Sequence, residues 1–235
     1  MGYQAINLQN KFAKFTGHWS TPRALFLFLA ALFFAIGSVL AQCPDTGQTT
    51  VIKPSQGTGY YFYRFLGDSS FAYFLDGKSF SFNDKDDPGK TFVFIDDFAY
   101  ESILVDNADL ATYVKSTNAV DVLRAQAKHA QDHMKSLVPS IVVTDYGQSA
   151  RKNPDGSDDR LFYLWKKESA PGSQPAPQYL VSTLIKDGVV VLSVMPGKGS
   201  VSDDELMLQI QKYTSHFDLL SSSRCAKVLA QPTSH

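Results

Sequence analysis

Residues 24–41 form an uninterrupted apolar run, and this run decides which part of the chain is left to build a globular fold. It contains no charged residue, and Ser38 is its only hydroxyl-bearing side chain. Three basic residues and no acidic residue precede it, a pattern typical of the basic and apolar regions of an export signal. Polarity returns abruptly after Ala41, and the residues up to it are small or apolar, as a signal peptidase requires. The sequence therefore predicts a signal peptide over residues 1–41.

Two alternatives to cleavage fit the same stretch. At 18 residues the run reaches the lower limit for a membrane-spanning helix, so an uncleaved anchor over residues 24–41 would attach the protein to the membrane. Lipidation of Cys43 is the second alternative, because the preceding residues resemble the bacterial lipoprotein box, although Gln42 stands where that box has a small residue. In each case we expect the rest of the chain to be periplasmic, secreted or attached to the outer face of the cytoplasmic membrane.

The charge balance of the exported part limits the class of partner. Cleavage after Ala41 would leave 194 residues, enough for one domain with a sizeable core. All 23 acidic residues lie in this part beside 19 of the 22 basic residues, which gives a formal charge of −4. A nucleic-acid partner would require a basic stripe, so the composition argues against one.

Only two cysteines are present, Cys43 and Cys225, one near each end of the exported part. In an oxidising compartment two lone cysteines favour pairing, so we predict a disulfide between them. The alternative is that Cys43 is lipidated or free, which would leave Cys225 as a small buried apolar residue.

Strand patterns dominate the first half of the exported part. Residues 42–59 are polar and rich in Gly, Pro and Thr, which indicates an irregular lead-in. Asp76-Gly77 lies between two strand-like runs and predicts a hairpin, because both central residues of such a turn need positive φ. The predicted strands cover residues 60–65, 71–75, 78–82, 91–96 and 100–105.

Helices and strands alternate in the second half. Apolar residues recur every three or four positions from Val120 until Pro139, which predicts an amphipathic helix. The period then changes to two, and Asp187-Gly188 predicts a further hairpin. A capping box at Ser202-Asp203-Asp204-Glu205 begins a second amphipathic helix. The strands of this half are predicted at residues 141–144, 160–167, 178–186 and 189–195, with a polar loop over 147–159.

This order predicts a single α+β domain over residues 60–225, with a mostly antiparallel sheet covered by two amphipathic helices, and a disordered tail over residues 226–235. An aromatic strand ending in SFSF, a hairpin arm VVVLSVM and the final amphipathic helix resemble the PsbP-like fold over residues 77–220. That family includes extrinsic photosystem proteins, Ran-binding Mog proteins and small bacterial exported proteins. The resemblance implies a non-enzymatic binding or accessory role and assigns no site residue.

Two motifs approach catalytic patterns without completing them. His129 and His133 are spaced to share a metal on a helix, but Ala130 stands where a zincin carries its glutamate, and no third ligand is indicated. Ser149 follows a predicted strand as a nucleophile would and opens an S-x-x-K motif, but Arg151 replaces the second glycine of the nucleophile elbow. We therefore predict no catalytic residue.

Acidic clusters offer only incomplete calcium loops. Residues 84–89 place acids and a glycine at three of the required positions, but Pro88 fills the fifth position and Ile95 the twelfth, where a glutamate is needed. The aspartates of residues 155–159 lack the required glycine. Both clusters favour turns, and neither a metal nor a cofactor is predicted.

The aromatic strand at residues 60–65 supplies the candidate contact residues. Alternation places Tyr61, Tyr63 and Phe65 on one face, which we interpret as core. Tyr60 and Arg64 would then be exposed and available to contact a sugar or a partner chain.

The sequence as a whole favours an exported, non-enzymatic domain that binds an unknown partner protein or small ligand on the extracytoplasmic side. One alternative is an extracytoplasmic hydrolase with a dispersed carboxylate site, which perturbed acidic groups in a shared cleft would support. The other is a structural envelope protein held by an N-terminal anchor.

Overall fold

The chain folds into eleven strands and four helices in the part that the computed structural model describes, residues 43–52, 57–82, 92–169, 176–198 and 201–230. All of these residues belong to one compact unit, Gln42–His235. In chain order the elements are β1 (Asp45–Ile52), β2 (Tyr60–Leu66), β3 (Phe71–Leu75), β4 (Phe80–Phe82), β5 (Phe92–Ile95), β6 (Phe98–Asp106), α1 (Asn107–Ala111), α2 (Ala119–Leu137), β7 (Ile141–Lys152), β8 (Asp158–Ser169), β9 (Gln178–Ile185), β10 (Gly188–Pro196), α3 (Asp203–Ser215), β11 (Asp218–Leu219) and α4 (Ser222–Leu229).

The strands form two antiparallel sheets, with the orders β1-β2-β3-β11 and β4-β5-β6-β10-β9-β8-β7. The predicted α+β class and the antiparallel pairing are confirmed. The prediction of one sheet under two helices is wrong, because β2 carries large aromatic side chains on both faces. Phe62 packs into the core between the sheets, whereas Phe65 packs into a separate core on the opposite face. Each face of β2 therefore needs its own covering layer.

Helix α3 contributes to the main core together with both sheets. Leu206, Ile210 and Tyr213 form its buried face and pack with residues from the two sheets. The predicted capping box is confirmed, since Ser202 Oγ accepts the Glu205 backbone N–H at 3.3 Å and Glu205 Oε2 accepts the Ser202 backbone N–H at 2.8 Å. This cap satisfies two backbone donors at the start of the helix.

Helix α2 covers the opposite face of the larger sheet. Leu123 and Ala127 are buried and pack in one cluster with Trp165, Leu180 and Val191. The predicted apolar stripe is therefore confirmed, except that its last residue, Leu137, is exposed. The helix begins after its N-cap, Asn118, whose side chain accepts two backbone N–H groups.

The outer face of the smaller sheet is closed by α4 and by a disulfide. Cys43 and Cys225 form this bridge, with their Cα atoms 5.5 Å apart, as predicted. Both residues are buried in one cluster with Phe65 and Val228. The bridge therefore fixes the start of the domain against its last helix.

Two boundary predictions are wrong at this face. The polar lead-in predicted at residues 42–59 contains strand β1, which pairs with β2 although its own sequence is polar. The tail predicted to be disordered at residues 226–235 continues helix α4 to Leu229, because Cys225 and Val228 share a buried helical face. Residues 231–235 lie outside the described residues.

The Asp-Gly pairs have different outcomes. Asp187-Gly188 joins β9 to β10 in a hairpin, as predicted. Asp76-Gly77 does not form a hairpin, because β3 belongs to the smaller sheet and β4 to the larger one. The Asp76 carboxylate instead accepts Lys212 Nζ at 2.9 Å and Thr58 Oγ1 at 3.0 Å, which fixes a crossing between the sheets.

The region 147–159, predicted as a polar loop, is largely a hairpin of β7 and β8 with a short turn after Lys152. The predicted signal peptide at residues 1–41, and its alternative anchor at 24–41, lie outside the described residues. Among the described helices, none combines the length and the apolar content that a membrane span requires.

The disulfide closes a sequence separation of 182 residues, so its loss should strongly destabilise the domain. We expect the double variant Cys43→Ser/Cys225→Ser to lose about 4–5 kcal/mol of unfolding free energy by the chain-entropy argument. Urea unfolding of the full chain, with and without reductant, measures this loss. Reductant should shift the wild-type midpoint and leave the variant unchanged, and an unchanged wild-type midpoint would contradict the prediction.

Candidate functional site

A cavity of about 310 Å³ opens between the two sheets, and we call it the Arg64 cavity. The smaller sheet contributes residues of β1, β2 and β3, and the larger sheet contributes residues of β4, β5 and β6. Arg64 reaches this cavity because it lies two residues from Phe62 on the same face of β2. Its wall includes the side chains of Arg64, Tyr73, Phe82, Val93, Tyr100 and Ser102.

Arg64 is a half-buried cation whose innermost nitrogen has no partner among the described residues. Its Nε is buried and has no hydrogen-bond acceptor. None of the ion pairs among the described residues includes it. Because a guanidinium keeps its charge at any ordinary pH, this side chain presents a permanent positive charge and unused donors.

Ser102 adds a second unused polar group to the same cavity. Its Oγ is also buried without a hydrogen-bond partner. A buried polar atom left unpaired costs about 1–3 kcal/mol, so native structures keep few of them. Two such atoms, one from each sheet, therefore border the same cavity.

Two tyrosines complete the polar side of the cavity. Burial raises the pKa of the Tyr73 hydroxyl, and the nearby charge of Arg64 opposes this effect only in part. Burial likewise raises the pKa of Tyr100, with smaller contributions from the charges of Asp76 and Asp96. The Tyr100 hydroxyl donates a hydrogen bond to Gln209 Oε1 of α3, with 3.1 Å between the two oxygens. Both hydroxyls therefore stay neutral, and Arg64 provides the charge of the site.

The prediction that Tyr60 and Arg64 form an exposed pair is wrong. Tyr60 is only 6% exposed, and its hydroxyl donates to the Lys78 carbonyl at 3.0 Å. Its ring packs edge-on against Phe80, with 4.5 Å between the ring centroids. The larger sheet covers this face of β2, which makes Tyr60 a core residue and leaves Arg64 half-buried in the cavity.

His129 and His133 line a second cavity, which lies between α2 and the outer face of the larger sheet. His129 is stacked on Tyr113, with ring centroids 3.9 Å apart. Within the described residues, no group of three or more His, Cys, Asp or Glu side chains is placed to hold a metal ion. The pair therefore belongs to the wall of a mainly apolar cavity.

Ser149 lies within strand β7, paired with Phe162 of β8, and not at a turn that would expose a nucleophile. Arg151, two residues later, has a structural role. Its Nη1 donates to the Phe217 carbonyl at 2.6 Å, and its guanidinium pairs with Asp159 and Asp218. This arrangement ties β7 to the end of α3.

The acidic cluster at residues 155–159 is used within the chain. The Asp155 carboxylate accepts hydrogen bonds from the Ser157 hydroxyl at 2.6 Å and from the Ser157 backbone N–H at 2.9 Å. These two bonds lower the pKa of Asp155. Asp158 pairs with Lys152, and Asp159 pairs with Arg151. The first candidate calcium loop, residues 84–89, lies outside the described residues.

The pKa shifts of the carboxyl groups show whether any of them suits general acid catalysis, which a hydrolase with a carboxylate site would need. Among the described residues, hydrogen bonds lower the pKa of Asp76, Asp132, Asp155 and Glu205. A general acid needs a pKa raised towards neutrality. These four groups serve an ion pair, a turn or a helix cap, and none of them lines either cavity.

The sequence matches no protein-family model and no curated protein. The resemblance to the PsbP-like fold therefore stays a prediction. Sequence reasoning identified Arg64 as a contact residue and missed Tyr73, Tyr100 and Ser102. One signal was present, since an arginine within an alternating aromatic strand is out of place in a dry core.

Two buried tyrosines of this core give a matched comparison. Tyr100→Phe should lower the unfolding free energy by about 1–2 kcal/mol, because it leaves Gln209 Oε1 buried without its donor. Tyr213→Phe should be neutral within about 0.5 kcal/mol or stabilising, because the Tyr213 hydroxyl is buried without a partner. Urea unfolding at pH 7 compares the two, and an equal loss in both variants would contradict the proposed difference.

Proposed function

We propose that this chain is an exported, non-enzymatic binding domain that holds a small organic anion in the Arg64 cavity. The observation that carries the proposal is the buried, unpaired Nε of Arg64 in a cavity of about 310 Å³. Cavities of this size are at the lower end of those that bind small molecules.

A carboxylate fits the donors of this cavity. It can accept two parallel N–H bonds from a guanidinium, which is the strongest pairing available to arginine. The Ser102 hydroxyl, which has no partner among the residues that the structure describes, would supply a further donor. Binding would satisfy both groups at once, so the ligand-free domain carries their desolvation penalty until the anion arrives.

The other wall of the cavity favours an organic body on the anion. Phe82 and Val93 supply apolar surface beside the polar groups. An aryl or alkyl group against these residues would gain affinity by leaving water. We therefore assign the site to a small monocarboxylate with an apolar body.

Export is part of the same proposal. The basic and apolar pattern of residues 1–41 supports it, and so does the Cys43–Cys225 disulfide, because such bridges persist in oxidising compartments. Membrane attachment through residues 24–41 is the alternative if the signal is retained. The PsbP-like assignment belongs to this proposal too, since it also implies a binding role.

The test of the anion site uses phenylacetate and its neutral analogue phenylacetamide, titrated calorimetrically into the full chain. Wild type should bind the acid and not the amide. Arg64→Met should weaken phenylacetate binding by about 30-fold, equivalent to about 2 kcal/mol, and should stabilise the ligand-free domain by about 1 kcal/mol.

Arg124→Met is the matched control, because Arg124 is exposed on α2, pairs with Asp121 across one helical turn and does not line the Arg64 cavity. This variant should bind phenylacetate as wild type does. Equal affinity for acid and amide, or unchanged binding in Arg64→Met, would refute the site. Binding of inorganic phosphate in preference to phenylacetate would refute the organic ligand class.

Export is tested by the intact mass of the natively expressed protein, taken separately from soluble and membrane fractions without reductant. We expect a soluble species that begins at Gln42 and lacks two hydrogens because of the disulfide. A full-length mass found only in the membrane fraction would contradict cleavage and identify residues 24–41 as an anchor.

A further inference from the structure

The cavity beside α2, here called the α2 cavity, has a volume of about 340 Å³ and a mainly apolar wall. Strand β6 separates it from the Arg64 cavity, because successive residues of a strand point to opposite faces. Ser102 lines the Arg64 cavity, whereas Ile103 and Val105 line the α2 cavity. The two cavities are therefore distinct sites on opposite faces of one sheet.

Trp165 brings an unpaired hydrogen-bond donor to the α2 cavity. This residue lines the cavity, is 0% exposed, and has an indole N–H that is buried without an acceptor. No described residue accepts a hydrogen bond from this donor, although buried indole N–H groups usually find an acceptor. A ligand that fills the cavity and carries an acceptor would satisfy it.

Gln126 points to the same class of ligand. It lines the cavity and is buried, and its Oε1 already accepts the Ser182 hydroxyl at 2.8 Å. The group that Gln126 most readily offers a ligand is therefore its –NH₂, which is also a donor. The Trp165 indole N–H and the Gln126 –NH₂ are both donors, so both would pair with an acceptor on the ligand.

The remaining wall argues for a neutral, flat ligand. The Asp109 carboxylate at the wall disfavours an anion, and the two N–H donors disfavour a cation. Aliphatic side chains of sheet and helix, such as Leu180 and Met134, favour a neutral body. The rings of Tyr113 and His129 are stacked, with 4° between their planes, so this side of the cavity presents a fixed aromatic wall. Ordered aromatic walls favour planar partners.

We infer that the α2 cavity binds a neutral aromatic molecule of about two fused rings that carries one hydrogen-bond acceptor, such as a ketone oxygen. The oxygen accepts from the Trp165 indole, and the rings pack between α2 and the larger sheet. This site is separate from the anion site of the proposed function and takes a different ligand class.

The test compares 2-acetylnaphthalene with 2-isopropenylnaphthalene, which has nearly the same shape but a CH₂ group in place of the carbonyl oxygen. The ¹⁵N-labelled full chain contains two tryptophans, and Trp165→Phe identifies the indole resonance of Trp165. We expect the ketone to bind roughly tenfold more tightly than the hydrocarbon and to shift this resonance. Equal affinities with an unmoved indole resonance would overturn the inference.

Ala130→Leu provides a second test, because the added side chain would occupy part of the cavity. It should weaken binding of the ketone at least tenfold, whereas Ala226→Leu, an exposed helical position on α4, should not change it. A folded Ala130→Leu protein that binds as wild type does would overturn the inference. If Ala130→Leu does not fold, the two-ligand comparison in wild type still decides.

Arg64→Met separates this site from the anion site, because it should leave binding of 2-acetylnaphthalene unchanged. Preferential binding of a saturated alcohol such as dodecanol, with no binding of the ketone, would show a cavity for lipid chains and would also overturn the inference.

Discussion

The burial of both faces of strand β2 is the constraint on which the rest of the structure depends. Its aromatic side chains alternate between two cores, one shared with α3 and the larger sheet, the other shared with α4 and the disulfide. A strand with one wet face would need a single covering layer. Because neither face of β2 is exposed to solvent, the domain is built from two sheets. The Cys43–Cys225 bridge joins the first and last described segments of the domain over the outer face of the smaller sheet.

The same constraint produces the candidate site. Arg64 continues the face of β2 that carries Phe62, so it must enter the region between the sheets, where an unpaired polar or charged group is costly to bury. The chain leaves its Nε unpaired and opens a cavity around it. Arg160 also has a buried Nε without a partner among the described residues, but its guanidinium donates to the Leu184 carbonyl at 3.0 Å and lies over the Phe217 ring. The two arginines therefore differ in the contacts of their remaining guanidinium atoms and not in the state of Nε.

Catalytic patterns in the sequence lose their context once the strands are paired. Ser149 is a residue of an extended strand, Arg151 fastens β7 to the end of α3, and the aspartates near them neutralise neighbouring basic side chains. His129 and His133 contribute ring surface to the α2 cavity. In the described part of the chain these side chains therefore take part in strand pairing, ion pairs and the wall of a cavity.

Local signals in the sequence determined the α+β class, the apolar stripe of α2, the capping box of α3, the Asp187-Gly188 hairpin and the cysteine pair, because each depends on neighbours or on the only available partner. The tertiary structure decided which strands share a sheet, that the polar segment β1 pairs with β2, and that Asp76-Gly77 crosses between sheets. The tertiary structure also places Arg64, Tyr73 and Ser102 around one cavity. Alternation shows that a strand has two faces, but the layer that covers each face is set by contacts between distant residues, and these leave no periodic trace in the sequence.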